Sequence, residues 1–100
     1  MREAYANMSN PEDLNSALEK AEELAERFIE QMNLDYDYFE HDLFYGNPDA
    51  ALTDIFFVLD QSNRMLSEED FTEAIDLISI IRGELESNDI SRRYAHLIQQ

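Results

Sequence analysis

Cysteine is absent from this chain, which excludes a disulfide framework and any thiolate metal ligand. Glycine and proline occur only twice each, and so low a content is typical of helices joined by short turns. Long apolar runs are also missing, since none approaches the ~20 residues that span a bilayer. Residues 1 to 5 lack the apolar stretch of a signal peptide. We therefore expect a cytoplasmic protein that does not enter membranes.

Basic side chains are scarce, because seven Lys and Arg stand against 23 Asp and Glu and give a net charge of -16. A charge of this sign repels nucleic acid backbones and anionic lipid surfaces, so we expect neither as a direct ligand. The charge also exceeds the ~2 to 8 units that keep a small domain soluble. A basic protein is the complementary partner that this composition predicts.

The first half of the chain predicts three helices. The first begins at Pro11, which suits the first helical position, and its apolar residues keep helical spacing from Leu14 to about residue 33. A short second helix covers residues 35 to 45 and ends at the C-cap Gly46. Pro48 repeats the start signal of the first helix, and the third helix should end near residue 61.

The second half predicts a core helix followed by a shorter one. Ser67 and Asp70 have the form of a capping box, and the apolar face behind them extends to Leu85. Gly83 either ends this helix or weakens it, and Ser87 opens the last helix. We predict an all-α compact bundle of four to five helices, a single domain over residues 1 to 100 with residues 1 to 8 frayed.

The excess of acidic over basic residues is greatest between residues 28 and 63, where eight acids occur without a single Lys or Arg. Within this stretch, residues 35 to 45 combine five aromatic and four acidic side chains. A short helix cannot bury them all, because residues one or two apart do not share a face. If Tyr36, Phe39 and Leu43 point inward, the side chains that point at least partly outward are Tyr38, His41, Asp42 and Tyr45.

Exposed tyrosines among carboxylates favour a protein interface, because tyrosine is enriched at binding hot spots and carboxylates engage Lys or Arg. Two plainer interpretations stay open. The tyrosines can lie against neighbouring helices with only their hydroxyls exposed, and the acidity can be a general surface property with function elsewhere. The predicted partner-binding residues are Asp35, Asp37, Tyr38, Glu40, Asp42, Tyr45, Asp49 and Asp54.

The segment Asp42-Leu43-Phe44-Tyr45, followed by Pro48, resembles part of the small acidic immunity proteins that protect bacteria from nuclease bacteriocins and contact-delivered toxins. Immunity proteins of this kind are short helical bundles that press a brief helix with paired tyrosines and flanking acids onto the toxin. Here Gly46 stands in place of the second tyrosine, and an additional helix is predicted at the end of the chain. The resemblance implies an inhibitor that occludes a basic toxin domain.

Two other functions fit the same composition. A phage or plasmid DNA mimic would use spaced carboxylates to imitate phosphates and block a DNA-binding protein. A structural adaptor would use residues 60 to 71, which look like a degenerate EF-hand. That segment has no glycine, places Arg64 at a ligand position and has Asp70 where calcium needs glutamate, so we expect no calcium binding.

Chemistry-bearing motifs are otherwise lacking. His41 and His96 are far apart in sequence, and neither has a partner at metal-binding spacing. Phosphate-binding loops and nucleophile motifs are also absent from the sequence. We therefore expect no enzymatic activity, no metal and no cofactor.

Overall fold

Across residues 11 to 99, the fold consists of five α-helices and a terminal 3-10 turn. The computed structural model describes residues 11 to 99, with side chains from residue 13 onward. The predicted all-α bundle of four to five helices is confirmed, and the fraying predicted for residues 1 to 8 lies outside the described residues. The elements are α1 (Pro11–Gln31), α2 (Tyr36–Phe44), α3 (Pro48–Gln61), α4 (Glu68–Arg82), α5 (Glu84–Tyr94) and the 3-10 turn (Ala95–Leu97).

Local signals set the helix boundaries. Asp35 caps α2, because its carboxylate accepts a hydrogen bond from the Asp37 amide at 3.1 Å. Ser67 caps α4, because its hydroxyl accepts a hydrogen bond from the Asp70 amide at 3.1 Å. This is one half of the predicted capping box, and the Asp70 carboxylate accepts from Arg27 of α1 instead. Gly46 has a φ of 75°, the left-handed conformation expected just after the end of α2.

The helix α3 forms the centre of the core. Its Leu52, Ile55 and Phe56 are fully buried, and it packs against α1, α2, α4 and α5. Small alanines on α1 and α4 permit close approach of these helices to the core. The main neighbour of α2 is α3. The buried apolar residues that the other elements contribute include Ala21, Ala25, Phe28, Phe39, Leu43, Phe71, Ala74, Ile78, Ile90, Tyr94 and Leu97.

Two predicted core positions and one predicted helix start are wrong. The buried stripe of α1 begins at Ala17, which leaves Leu14 exposed. Gly83, with a φ of 104°, ends α4 and changes the direction of the chain, so α5 already begins at Glu84 and Leu85 is 88% exposed. Ser87 lies inside α5, where it is buried and its hydroxyl donates to the Glu84 carbonyl at 3.1 Å.

The C-terminal segment closes over the loop between α3 and α4. The Leu66 amide donates to the Leu97 carbonyl at 2.8 Å, and the Gln99 amide donates to the Leu66 carbonyl at 2.7 Å. This loop is the one that resembles an EF-hand. Across residues 11 to 99, the structure shows no group of three or more acidic or histidine side chains placed to hold a metal ion. Over the same range, no helix is long and apolar enough to cross a membrane.

Candidate protein-docking site

The short helix α2 has one buried and one exposed face. Phe39 and Leu43 are buried and seat the helix on α3. Tyr38 and Tyr45 are 55% and 63% exposed, which confirms their predicted outward orientation, and Phe44 is 78% exposed. Tyr38 and Phe44 therefore meet solvent within a helix of only nine residues, and Tyr45 does so at its C-cap.

Tyr36 is nearly half exposed, so its predicted inward position is wrong. It opens α2, one turn before Phe39. A helix that packs mainly on one neighbour buries only a narrow stripe, and Phe39 with Leu43 already fills that stripe.

The exposed aromatic rings contact one another. The ring centroids of His41 and Tyr45 are 4.6 Å apart, and those of Phe44 and Tyr45 are 5.0 Å apart in an edge-to-face arrangement. Contacts of this kind restrict the side-chain rotamers, so less conformational entropy is lost when a partner covers the rings. The rings thus form a connected apolar area.

Carboxylates border this aromatic area. Asp37 and Glu40 are exposed on the same helix, whereas the exposed carboxylate of Asp35 is engaged in capping α2. On a helix of 3.6 residues per turn, the exposed residues point away from the stripe formed by Phe39 and Leu43. We define the α2 outer surface as the six exposed residues between positions 37 and 45, which are Asp37, Tyr38, Glu40, His41, Phe44 and Tyr45.

Asp49 belongs to the interior of the fold. Its side chain is buried, and one carboxylate oxygen accepts a hydrogen bond from the Nε of Arg82 on α4 at 2.5 Å. The same guanidinium lies 3.6 Å from Glu86 on α5. Asp49 therefore links α3 to α4 and is left out of the docking surface proposed below, although the sequence places it among the partner-binding residues.

Asp42 and Asp54 face each other between α2 and α3, and both are partly buried. Burial, together with the hydrogen bond and the negative charge of Asp42, raises the pKa of Asp54 from 3.8 to about 6, against the opposing charge of Arg82. Asp42 remains partly exposed, which agrees with its predicted orientation at least partly outward. These two acids connect two helices of the fold, and they too are left out of the docking surface.

Side chains that pair with the acidic stretch come from distant parts of the chain. Arg82 pairs with Asp49 across 33 positions, and His96 lies 2.6 Å from Asp60 across 36 positions. Sequence reasoning missed both pairs, because no local spacing signals them. The exposed acids on α2 and the aromatic rings beside them are what the fold leaves available at this surface.

A second acidic surface lies on α1. Glutamates three or four positions apart follow one side of a helix and are all exposed in α1. Arg27, at the flank of this row, points across to α4, where it lies 3.1 Å from Asp70 and 3.5 Å from Glu73. The members of the row are Glu19, Glu23, Glu26 and Glu30.

No family model, curated protein or solved structure matches the chain. The functional assignment therefore depends on the α2 outer surface and on the charge of this protein alone.

Proposed function

We propose that this protein binds a basic protein through the α2 outer surface and inhibits that protein by covering its surface. The observation that carries the proposal is the exposure of Phe44 and Tyr45, which contact each other on a helix seated firmly by Phe39 and Leu43. Large aromatic rings on a rigid support supply binding energy at low entropic cost. A docking role accounts for their position in solvent.

The chemistry of the partner follows from charge. The helices α2 and α3 contain no Lys or Arg, and the whole chain carries a net charge of -16. Asp37 and Glu40 border the aromatic rings and can engage Lys or Arg side chains of a partner. A negative field of this size also accelerates association with a cationic surface and rejects acidic proteins.

The more specific form of the proposal is an immunity protein that neutralises a basic, nuclease-type toxin domain. The resemblance of Asp42-Leu43-Phe44-Tyr45 to such proteins supports it, as does the presentation of these aromatics by a brief helix. In this form the protein acts in the cytoplasm and works by occlusion, without catalysis, cofactor or direct contact with nucleic acid. Its partner is the toxin itself.

DNA mimicry is the second candidate function, and the glutamate row on α1 is the observation that favours it. Successive members such as Glu19, Glu23 and Glu26 are exposed, and the helix advances ~1.5 Å per residue, so neighbouring carboxylates lie ~5 to 6 Å apart along the axis. A regular row of negative charge can occupy a cleft built for phosphates. A mimic would compete with DNA for several unrelated binders, whereas an immunity protein holds one partner.

Affinity capture with matched variants tests the docking surface. The immobilised wild-type protein is compared with a Phe44→Ala/Tyr45→Ala double variant and with Leu85→Ala, in extracts of the cells that produce the protein. We expect wild type and Leu85→Ala to retain the same basic protein and the double variant to lose it, because only the double variant removes the aromatic contact area. Circular dichroism checks that all three proteins fold alike.

Equal retention by all three proteins would remove Phe44 and Tyr45 from the interface. Retention of several DNA-binding proteins, released by added DNA and lost on a Glu19→Gln/Glu23→Gln/Glu26→Gln variant, would favour the mimic instead.

A further inference from the structure

Two exposed rings of the α2 outer surface lie in one row with a carboxylate. The ring centroids of His41 and Tyr45 are 4.6 Å apart and their planes are inclined by 50°, so neither ring fully covers the face of the other. Phe44 holds the Tyr45 ring through an edge-to-face contact at 5.0 Å. Asp37 is exposed one helical turn before His41, and residues four apart are neighbours on a helix surface. An aromatic platform therefore adjoins a carboxylate.

The cation that would complement this carboxylate is not part of α2, which contains no Lys or Arg. Over residues 11 to 99, the ion pairs that Arg and His side chains form involve acids other than Asp37 and Glu40. Within the part of the chain that the structure describes, both carboxylates are thus available to a cation of another molecule.

The fold contains the same combination of ring and carboxylate with its cation in place. The guanidinium of Arg27 lies 5.5 Å from the centroid of the Phe28 ring. It also lies 3.1 Å from Asp70 and 3.5 Å from Glu73. A guanidinium suits such surroundings because it is planar and weakly hydrated and donates in a fork that fits a carboxylate, whereas a lysine ammonium is compact and strongly hydrated. A ring beside a carboxylate therefore favours arginine over lysine.

We propose that the α2 outer surface contains a binding site for an arginine side chain of the basic partner. The stem of this arginine covers Tyr45, and its guanidinium stacks on His41 and donates to Asp37. The reach is sufficient, because four residues of a helix advance by only ~6 Å along its axis. The use of the site in docking rests on the function proposed above, whereas the binding of arginine itself requires no partner protein.

Two capped pentapeptides of equal charge, Lys-Gly-Arg-Gly-Lys and Lys-Gly-Lys-Gly-Lys, test the site in NMR titrations of the full chain. The negative field of the protein attracts both peptides alike, so a difference in Kd reports on the central side chain. We expect the arginine peptide to bind about threefold more tightly, the effect of an exposed cation–π contact. It should shift the ring signals of His41 and Tyr45, whose ring currents should move the arginine methylene signals upfield.

Matched variants assign this preference to particular groups. Tyr45→Ala removes a ring, and Asp37→Asn removes the carboxylate charge with little change of shape, so both should lose the preference for arginine. Tyr45→Phe keeps the ring and should keep the preference. Glu19→Gln should also keep it, because this variant removes an exposed charge from α1. Circular dichroism checks that the variants fold alike.

Equal Kd values for the two peptides in the wild type would overturn the arginine site, as would a preference that survives in Tyr45→Ala or in Asp37→Asn. A basic protein captured through Phe44 and Tyr45 without any arginine preference would leave the proposed function standing and the arginine site wrong. A clear arginine preference without capture of a basic protein would contradict the proposed function alone.

Discussion

Phe56→Ala is expected to destabilise the protein by about 3 to 5 kcal/mol, a large part of the ~5 to 15 kcal/mol that holds a typical domain folded. Phe56 is 0% exposed, and its ring lies 5.2 Å from that of Phe71 and 5.6 Å from that of Tyr94. Truncation would leave a cavity where α3, α4 and α5 meet. Chemical denaturation followed by circular dichroism measures the free energy of unfolding.

The neighbouring residue supplies the control. Phe57→Ala removes the same atoms, but Phe57 is 45% exposed, so its truncation leaves no enclosed cavity. We expect this variant to lose less than ~1 kcal/mol. Equal losses in the two variants would contradict the central position of α3 in the core.

Tyr45→Ala is expected to weaken binding to the captured basic partner by about 2 kcal/mol or more, which is roughly a 30-fold rise in Kd. Tyr45 contacts both His41 and Phe44, so its removal disrupts the connected aromatic area as well as its own contact. Isothermal titration calorimetry gives the Kd. The free energy of unfolding should change by no more than ~0.5 kcal/mol, because the side chain is exposed.

Tyr36→Ala is the matched control for Tyr45→Ala. It changes the same residue type on the same helix, but Tyr36 lies outside the α2 outer surface and is partly covered. We expect its Kd to stay within about threefold of the wild-type value. A larger loss for Tyr36→Ala than for Tyr45→Ala would move the interface to the start of α2.

Local signals in the sequence were sufficient for most of the fold. Pro11, Pro48 and Ser67 mark helix starts that the structure confirms, because capping and the fixed φ of proline depend only on neighbouring residues. Gly83 was ambiguous, since a glycine can end a helix or merely weaken it. Leu85 is predicted to be inward only if the helix continues through Gly83. The turn at Gly83 instead starts a new helix, whose periodicity places Leu85 in solvent.

Some of the predicted docking residues could be placed from the helical period, whereas the positions of others depend on contacts between helices. Tyr38 and Tyr45 could be assigned to the outward face from the helical period alone. The burial of Asp49 against Arg82 could not be predicted, because the two residues are 33 positions apart. The proximity of Asp42 and Asp54 could not be predicted, because it depends on how α2 and α3 pack and neither helix alone shows it.

Site-specific photo-cross-linking tests the docking surface most directly. Phe44 is replaced by a photoreactive benzoyl-phenylalanine in one protein, and Leu85 in another, since both positions are highly exposed and lie on different helices. We predict that irradiation in the producing cells links position 44, and not position 85, to one basic protein. Cross-links of equal yield at both positions, or links from position 44 only to acidic or neutral proteins, would contradict a docking surface for a basic partner on α2.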